Sequence, residues 1–373
     1  MYAKRASLKN FRNIQEAKVD FCPGINVLVG ENAQGKTNLL EAIFFASVGR
    51  SFRAANTGEM IRFGEKSAEI SIDYKLDERS RDDNLTIKLF TDKKKTVEKN
   101  NLKVEKLSEI VGSFRAVLFC PEHLSLIKDG PAERRNYLDI AISRISPKYI
   151  HSLQRYSYFL KQRNALIKTA VKNRASFDAT VELWSEKMAE EAAIISKMRL
   201  EFVRRVSKLV EDYFLEMTGE REHTEFVYKG NAGLDEEKYF DTDAVKDKYF
   251  ELLMSSHDRE IALGATQYGI QKDDTDIKIN GKSARSYCSQ GQQRSLALAM
   301  KLAEGEICKE EFGDYPVFLF DDVLSELDET RRDYMLLYAT NKQVIISTCE
   351  SEFVKKMHAD KRIWVENGVY KEL

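Results

Sequence analysis

The stretch INVLVGENAQGKT (Ile25–Thr37) decides the fold, because it joins a compact apolar run to a glycine-rich loop. Gly30–Thr37 matches the phosphate-loop pattern GxxxxGK followed by Ser or Thr. The apolar run before it predicts a buried strand, and Lys36–Val48 after it has a helical pattern. Strand, loop and helix in this order predict an α/β domain with a nucleotide-phosphate site; the alternative is an ordinary turn with a surface lysine.

Each residue type in this loop has a physical role in holding phosphate. Gly30 and Gly35 permit backbone curvature that a side chain would obstruct, so that successive N–H groups point at phosphate oxygens. The start of the next helix adds the positive end of its dipole. Lys36 is predicted to neutralise the β- and γ-phosphates of a bound nucleotide, and Thr37 to bind Mg²⁺. The predicted ATP contacts in this segment are Gly30, Glu31, Asn32, Ala33, Gln34, Gly35, Lys36, Thr37 and Asn38.

The composition is that of an ordinary globular protein. The 373-residue chain has 59 Lys and Arg residues against 60 Asp and Glu residues, for a formal net charge of −1. This balance excludes a uniformly basic nucleic-acid coat but allows a local basic surface. The five cysteines are widely spaced, which predicts reduced thiols rather than a disulfide framework or a zinc site. We find no signal peptide and no apolar run near the ~20 residues of a membrane span, and we expect a cytoplasmic protein.

The spacing of apolar residues changes twice along the chain. The first ninety residues read as strands, and residues 131–218 lack glycine and repeat apolar residues at three-four spacing. This middle stretch predicts an antiparallel helical arm with bends near Pro147 and Asn173–Asp178. After the turn dipeptide Asn280-Gly281, helix and strand patterns alternate again. We therefore predict an α/β domain with a mixed sheet, formed by residues 1–125 and 265–373, and an inserted arm formed by residues 126–264.

A second element that suits a metal site lies about 280 residues beyond the loop. The strand pattern VFLF (Val317–Phe320) runs directly into Asp321 and Asp322. A carboxylate at the end of a core strand can bind Mg²⁺, which we predict for Asp321. Asp322 is predicted to orient or deprotonate the attacking water, so that the catalytic set is Lys36, Asp321 and Asp322. Taken alone, the acidic pair is equally consistent with a helix cap.

The segment SQGQQ (Ser289–Gln293) opens the helix that precedes this strand. Ser289 is a good N-cap, and Gly291 leaves the helix start bare for an anion. Because this helix and the phosphate loop are expected at opposite edges of one lobe, the helix is predicted to serve a neighbouring copy.

Together these segments resemble the ABC-type ATPase heads of the SMC class and, within it, the RecF family of bacterial recombinational repair proteins. The segments that carry the resemblance are LKNFRN (Leu8–Asn13), GINVLVGENAQGKTNLLEAI (Gly24–Ile43), LKQRN (Leu160–Asn164), SQGQQRSLALAMKLAE (Ser289–Glu304) and DDVLSELD (Asp321–Asp328).

The resemblance implies roles for several residues. Ser289, Gly291 and Gln292 would contact the γ-phosphate of ATP on the opposite subunit, and Ser325–Asp328 would be the D-loop at the dimer seam. Arg12 resembles an early arginine that reaches nucleotide phosphate. The family also implies an ATP-driven homodimer that acts as a slow switch, weak DNA-stimulated ATPase activity, and binding of single-stranded or gapped DNA. RecR- and RecO-type partners, gap repair, SOS induction and promotion of RecA loading are implied as well.

The sequence departs from the wider ABC pattern at three places, and a fourth segment resembles a RecF segment with altered central residues. Asp322 stands where transporter heads usually have Glu, which predicts slow turnover. Thr348 occupies the place of a switch histidine, and Pro121-Glu122 that of a glutamine loop, from which we assign no ligand. The role of Gly269–Asp274 is open.

A basic stretch in the arm is the candidate DNA surface. Residues 140–177 contain eight Lys or Arg residues and no Asp or Glu. Such a stripe can neutralise DNA phosphates; the alternative is a solvated face balanced by acids such as Glu182, Glu186 and Glu190. The predicted DNA contacts are Arg155, Lys161, Arg163, Lys168 and Lys172.

Two other classes of protein compete with this interpretation. A transporter's ATP-binding subunit would have a much shorter separation between loop and acidic strand. A nucleotide-gated interaction protein would show no significant turnover.

Overall fold

The computed structural model describes residues 1–54, 56–76, 81–105, 107–219, 221–349 and 358–373. The chain forms two compact units. The first, which we call the head, comprises Met1–Leu124, Tyr213–Arg221 and Ser289–Leu373. The second, the helical unit, comprises Ser125–Asp212 and Glu222–Cys288.

Among its described residues, the N-terminal part of the head contains eight strands and the helix that follows the phosphate loop. Four of these strands, β1, β2, β4 and β5, alternate buried with more exposed residues, as half-buried antiparallel strands do. The elements are β1 (Tyr2–Phe11), β2 (Ile14–Asp20), β3 (Ile25–Val29), α1 (Lys36–Val48), β4 (Ser67–Lys75), β5 (Asp83–Phe90), β6 (Thr96–Lys99), β7 (Leu102–Val104) and β8 (Ala116–Phe119).

The helical unit follows, with seven helices and three strands among its described residues. They are α2 (Ser125–Lys128), α3 (Pro131–Ile145), α4 (Pro147–Ala170), α5 (Arg174–Thr218), β9 (Thr224–Lys229), α6 (Thr242–Ser255), α7 (His257–Leu263), β10 (Asp274–Ile279), β11 (Lys282–Ser283) and α8 (Ala284–Tyr287).

The chain then returns to the head. The returning elements are α9 (Gln290–Phe312), β12 (Val317–Asp321), α10 (Glu329–Ala339), β13 (Val344–Thr348), β14 (Lys361–Glu366) and β15 (Val369–Glu372).

The part of the head that the structure describes contains two six-stranded sheets. One is antiparallel, in the order β2-β1-β4-β5-β6-β7, and the other has the order β15-β14-β3-β13-β12-β8 with a parallel core. Helix α1 contacts strands of both sheets, and its apolar residues from Leu39 to Ala46 are buried almost all round. A helix that is apolar on every side is typical of such an enclosed position. The phosphate loop therefore opens from a firmly held strand–helix pair.

In the helical unit, α4 and α5 run antiparallel. Tyr149 contacts Arg199, and Arg163 contacts Ser185, so that residues later in α4 meet residues earlier in α5. The bends occur where the sequence predicts them, since Ser146 caps the start of α4 and α5 begins at Arg174. The mixed α/β head and the inserted antiparallel helices confirm the predicted fold class.

The limits of the two units differ from the predicted boundary after residue 264. Residues 265–288 belong to the helical unit, because Thr266 binds the Arg163 guanidinium and β10 pairs with β9. Conversely, Tyr213–Arg221 belongs to the head, where the Tyr213 ring packs on Tyr338.

Candidate nucleotide-binding site

The phosphate loop connects β3 to α1 and has the curved backbone that an anion cradle needs. Ala33 and Gly35 have φ angles of 63° and 117°, and the second of these suits only glycine. A side chain at Gly30 would collide with the carbonyl oxygen of Val365 on β14. Both glycines of the motif are therefore required by the geometry.

The turn between β14 and β15 braces the outer side of this loop. The Gly368 N–H donates to the Gln34 carbonyl at 2.8 Å, and the Asn367 N–H donates to the Gln34 side chain at 2.7 Å. The Tyr370 hydroxyl donates to the Gly35 carbonyl at 2.9 Å. These contacts hold loop carbonyls on the outside, as a loop whose N–H groups bind phosphate requires. Sequence patterns carry no signal for this brace, because it joins residues more than 330 positions apart.

Lys36 lies against the loop rather than in solvent. Its side chain is 6% exposed, and Nζ donates to the carbonyls of Gly30 at 2.5 Å and Glu31 at 2.7 Å. Burial lowers the pKa of this ammonium group, and the nearby Asp322 and Asp321 charges oppose that shift. The ammonium group of Lys36 is thus held against the phosphate loop, where it can bind phosphate oxygens.

The structure joins the loop to the acidic strand through one carboxylate oxygen. Oδ1 of Asp321 accepts from the Thr37 hydroxyl at 2.9 Å and from the Ser347 hydroxyl at 2.6 Å. Asp321 is 4% exposed, and burial raises its pKa, helped by the charges of Glu122 and Asp322. The two hydroxyl donors lower the pKa in part. A nearby cation would stabilise the charged form of this buried carboxylate.

The Thr37 hydroxyl and the Asp321 carboxylate are suitable ligands for Mg²⁺, although they do not surround the ion on their own. Hydroxyl and carboxylate oxygens are the ligands that Mg²⁺ prefers, usually one or two from the protein with the rest from phosphate and water. Within the described part of the chain, no group of three Asp, Glu, His or Cys side chains converges on a metal position. Thr37 and Asp321 would hold the ion, and nucleotide phosphates would complete its shell.

Asp322 follows Asp321 in a strained conformation. Its φ is 51°, and the Ser347 hydroxyl accepts its N–H at 3.0 Å. A left-handed backbone at a residue other than glycine is uncommon and is often found at functional sites.

Thr348, at the place of a switch histidine, is buried at the end of β13, opposite Val29.

The turn between β1 and β2 lies beside the loop. Asn13 accepts from the Asn38 amide at 2.7 Å. The Arg12 guanidinium makes two bonds of 2.8–2.9 Å to Glu41, which is fully buried on α1. This anchor was missed from the sequence, where Glu41 is one acid of a helical segment. The phosphate contact of Arg12 stays a prediction.

Helix α9, which we call the signature helix because Ser289, Gly291 and Gln292 lie at its start, begins with a closed hydrogen-bond pair. Ser289 Oγ accepts from the Gln292 N–H at 3.2 Å, and the Gln292 side-chain oxygen accepts from the Ser289 N–H at 2.7 Å. Ser289 and Gln290 are exposed, so the helix start faces solvent in this chain. A Cβ at Gly291 would stand 3.6 Å from the Arg331 guanidinium.

Arg331 links the signature helix to the D-loop. Its guanidinium binds Asp328, which caps α10, and the hydroxyl of Ser295 on α9. The side chain of Glu326 lies outside the described residues. Arg331 was missed because nothing in its local sequence shows that it joins two elements.

The segment in place of a glutamine loop brings a carboxylate near the metal position. Glu122 is exposed, and its charge raises the pKa of both Asp321 and the buried Cys120, although burial is the main cause for each. No ligand was predicted here.

The Gly269–Asp274 segment forms a buried node of the helical unit. Asp273 is fully buried, and burial raises its pKa. It accepts from Arg199 at 2.9 Å, from the Asn231 N–H at 2.8 Å and from the Tyr228 hydroxyl. The segment thus has a structural role.

The candidate DNA surface needs one correction. Arg163 is fully buried and donates to Ser185, Thr266, Leu253 and Glu260, so the prediction that it contacts DNA is wrong. The other predicted contacts are exposed: Arg155, Lys161, Lys168 and Lys172.

The acids named as balancing charges are mostly engaged elsewhere. Lys246 lies within 3.7–3.8 Å of Glu186 and Glu190, and Arg155 instead pairs with Glu191 at 2.6 Å. Most of the exposed basic surface of α4 therefore has no acidic partner from these residues.

Among the described residues, no helix combines the length and apolarity needed to cross a bilayer.

Comparison with known proteins agrees with the geometry. The family described as RecF/RecN/SMC N terminal domain matches residues 2–371. The chain is 38% identical to a DNA replication and repair protein RecF of Ruminiclostridium cellulolyticum, over 94% of each chain. It is 35% identical to that of Alkaliphilus oremlandii, over 97% of each.

Solved structures agree as well. The recombination mediator protein RecF-ATPrS of the RecFOR pathway superposes with a TM-score of 0.93 and 34% identity, covering 100% of this chain and 98% of that one. The Smc head domain of Pyrococcus furiosus, at 18% identity and a TM-score of 0.57, shares the fold over 100% of this chain and 96% of that one. The chain belongs to the RecF/RecN/SMC N-terminal domain family and, within it, to the RecF family of DNA replication and repair proteins.

Proposed function

We propose that the chain is an ATP-binding, DNA-binding repair protein in which ATP drives dimerisation as a slow switch. The observation that carries the proposal is the bond between Thr37 and Asp321, which unites the loop and the acidic strand in one site. A related RecF has been solved with ATP, at 34% identity to this chain.

The phosphate loop would bind the phosphates, and the oxygen atoms of Thr37 and Asp321 would bind the metal ion. Residues 30–38 would hold the phosphates, with Lys36 on the β- and γ-phosphates. Mg²⁺ would be held by Thr37 and Asp321, and it would stabilise the charge that develops on the γ-phosphate. Arg12, anchored on Glu41, would add a positive charge at the rim.

Hydrolysis would be slow and DNA-stimulated. Asp322 would orient the attacking water, but its side chain is one methylene shorter than the glutamate of transporter heads. Thr348 offers no imidazole for proton transfer. These two residues also favour a second candidate, a nucleotide-gated interaction protein without significant turnover. Release of inorganic phosphate, measured with and without DNA, separates the two.

A second copy would complete the site. Ser289, Gly291 and Gln292 would contact the γ-phosphate bound to the opposite subunit, and the D-loop at Ser325–Asp328 would cross the seam. Because this contact exists only in the dimer, ATP would favour the dimer by its differential affinity, and hydrolysis would release it.

The exposed basic residues of α4 and of the turn that follows it would contact DNA, as single strands or gapped duplex. Without Arg163, this surface consists of Arg155, Lys161, Lys168 and Lys172. Membership of the RecF family supports the further proposal that the chain acts with RecO- and RecR-type partners in gap repair, SOS induction and promotion of RecA loading, in the cytoplasm.

Sedimentation tests the proposal. With ATP and Mg²⁺ the wild-type chain is expected to dimerise, and Lys36→Arg and Ser289→Arg to stay monomeric. Arg259→Gln, at an exposed arginine of α7, serves as the control. Dimers of either site variant at wild-type level would refute the proposal.

A further inference from the structure

Three aromatic rings meet at the surface of the helical unit, where α4 and α5 lie against each other. Tyr158 and Phe159 on α4 and Trp184 on α5 have centroid distances of 5.7–6.2 Å, and we call them the aromatic cluster. Tyr158 is 54% exposed, and Leu183, next to Trp184 in the chain, is 55% exposed. Single exposed apolar residues are ordinary, whereas exposed apolar groups that adjoin one another are typical of binding surfaces.

The Tyr158 ring can accept a further flat ring. It meets Phe159 and Trp184 at interplanar angles of 65° and 72°, so both contacts are edge-to-face rather than stacked. Aromatic rings also pair in an offset parallel arrangement, which neither neighbour of Tyr158 provides. A half-exposed ring of this kind offers a stacking position to a ligand.

A basic stripe continues from Tyr158 along the exposed side of α4. Successive steps of three and four residues place on this side Lys161, Ala165, Lys168 and, in the turn after the helix, Lys172. The three lysines are exposed, and none has an ion-pair partner among the described residues. Because residues three apart on a helix have Cβ atoms about 5–6 Å apart, the first lysine is a neighbour of the Tyr158 ring.

Two acids of α5 about two turns after Trp184 are already paired. Glu190 lies 3.1 Å from the Lys187 ammonium, and Glu191 lies 2.6 Å from the Arg155 guanidinium. Their charges are therefore balanced within the helix pair, and the lysines of the stripe remain available to a polyanion.

We propose that the aromatic cluster stacks an unpaired base of single-stranded DNA whose phosphates lie along the three lysines. A cationic surface that follows the backbone, combined with an aromatic ring for the bases, is how single strands are bound without sequence preference. In a duplex the faces of the bases are covered by their neighbours, so only an unpaired base can reach the ring. The inference rests on the proposed function, because it needs DNA on this side of α4, and it adds a preference for single strands.

Three DNA ligands separate stacking from charge in the full chain. Fluorescence anisotropy compares an oligothymidine, an abasic strand of equal length, which keeps the phosphates but has no bases, and a duplex without unpaired bases. The wild-type chain is expected to bind the oligothymidine roughly fivefold more tightly than the abasic strand, since stacking on an aromatic side chain contributes to the first complex alone.

Variants of Tyr158 test the ring itself. Tyr158→Ala is expected to weaken oligothymidine binding roughly tenfold, while binding of the abasic strand and the duplex changes less than about twofold. Its salt dependence should equal that of the wild-type chain, because no charge is removed. Tyr158→Phe keeps the ring and should bind as the wild-type chain does. Leu263→Ala, at another exposed apolar side chain of the helical unit, is the control.

Trp184 gives a local signal. The chain has two tryptophans, so Trp364→Phe leaves Trp184 as the only one. Saturable quenching of its emission by the oligothymidine is expected, with little quenching by the abasic strand.

The outcomes distinguish failure of this inference from failure of the proposed DNA surface. Unchanged oligothymidine affinity in Tyr158→Ala, an equal loss of duplex binding, equal binding of the abasic strand, or unquenched Trp184 emission would each overturn the stacking of a base, even where the lysines bind DNA. If changing Lys161, Lys168 and Lys172 to Glu leaves DNA binding unchanged, the proposed surface fails and the stacking inference fails with it.

Discussion

The buried ion pair between Arg163 and Glu260 predicts that Arg163→Met destabilises the protein strongly. Both side chains are 0% exposed, and Nη2 lies 2.6 Å from the carboxylate. The substitution leaves a buried carboxylate without its countercharge, for which the expected cost is about 3–5 kcal/mol. Thr266, Ser185 and the Leu253 carbonyl lose a donor as well.

Chemical denaturation of the full chain, followed by circular dichroism, measures this cost. Arg174→Met is the matched control, because its pairs with Asp178 and Asp258 are exposed and worth about 0–1 kcal/mol. The double variant Arg163→Met/Glu260→Met removes both charges and should recover part of the loss. A loss below about 1 kcal/mol for Arg163→Met would refute the assignment of Arg163 to the core.

Three further predictions concern DNA, pH and the loop brace. Changing Lys161, Lys168 and Lys172 to Glu should lower DNA affinity and flatten its salt dependence, as measured by fluorescence anisotropy, while the free energy of unfolding stays within about 0.5 kcal/mol per site; unchanged binding would exclude this surface. The raised pKa of Asp321 means that the folded state holds this proton more tightly than the unfolded chain does. Its contribution to stability is therefore present below the ordinary carboxyl pKa and is lost as pH rises through the raised pKa. The stability of Asp321→Asn relative to wild type should accordingly increase as pH rises, as measured by thermal unfolding without nucleotide. A stability difference that does not depend on pH would contradict the raised pKa. Tyr370→Phe removes the hydrogen bond to the Gly35 carbonyl, so it should cost about 0.5–1.5 kcal/mol of stability and weaken ATP binding severalfold in calorimetry. ATP affinity equal to wild type would show that the brace does not shape the loop.

The sequence predicts those features that depend on local pattern. The bounds of α1 agree with the helical pattern of Lys36–Val48, and the Asn280-Gly281 turn has the positive φ angles expected of it. Thr37 and Asp321 lie far apart in the chain, yet each has a local signal, a phosphate loop and an apolar strand ending in an acid.

Features that depend on distant partners were missed or misjudged. Tyr370, Glu41 and Arg331 act through contacts with other elements, which leave no mark on their neighbours in sequence. A run of basic residues does not reveal which of them face the core. For Arg163, the helical spacing indicates burial, because the residue lies two turns after Tyr156, on the buried face of α4.

Mixing two inactive variants tests the shared site most directly. Lys36→Arg and Ser289→Arg are each expected to stay monomeric with ATP. If the nucleotide is sandwiched between two copies, a mixed pair contains one intact site, with the loop of one variant and the signature helix of the other. The account predicts ATP-dependent heterodimers in sedimentation of the mixture. A mixture that stays monomeric, under conditions where the wild-type chain dimerises, would contradict it.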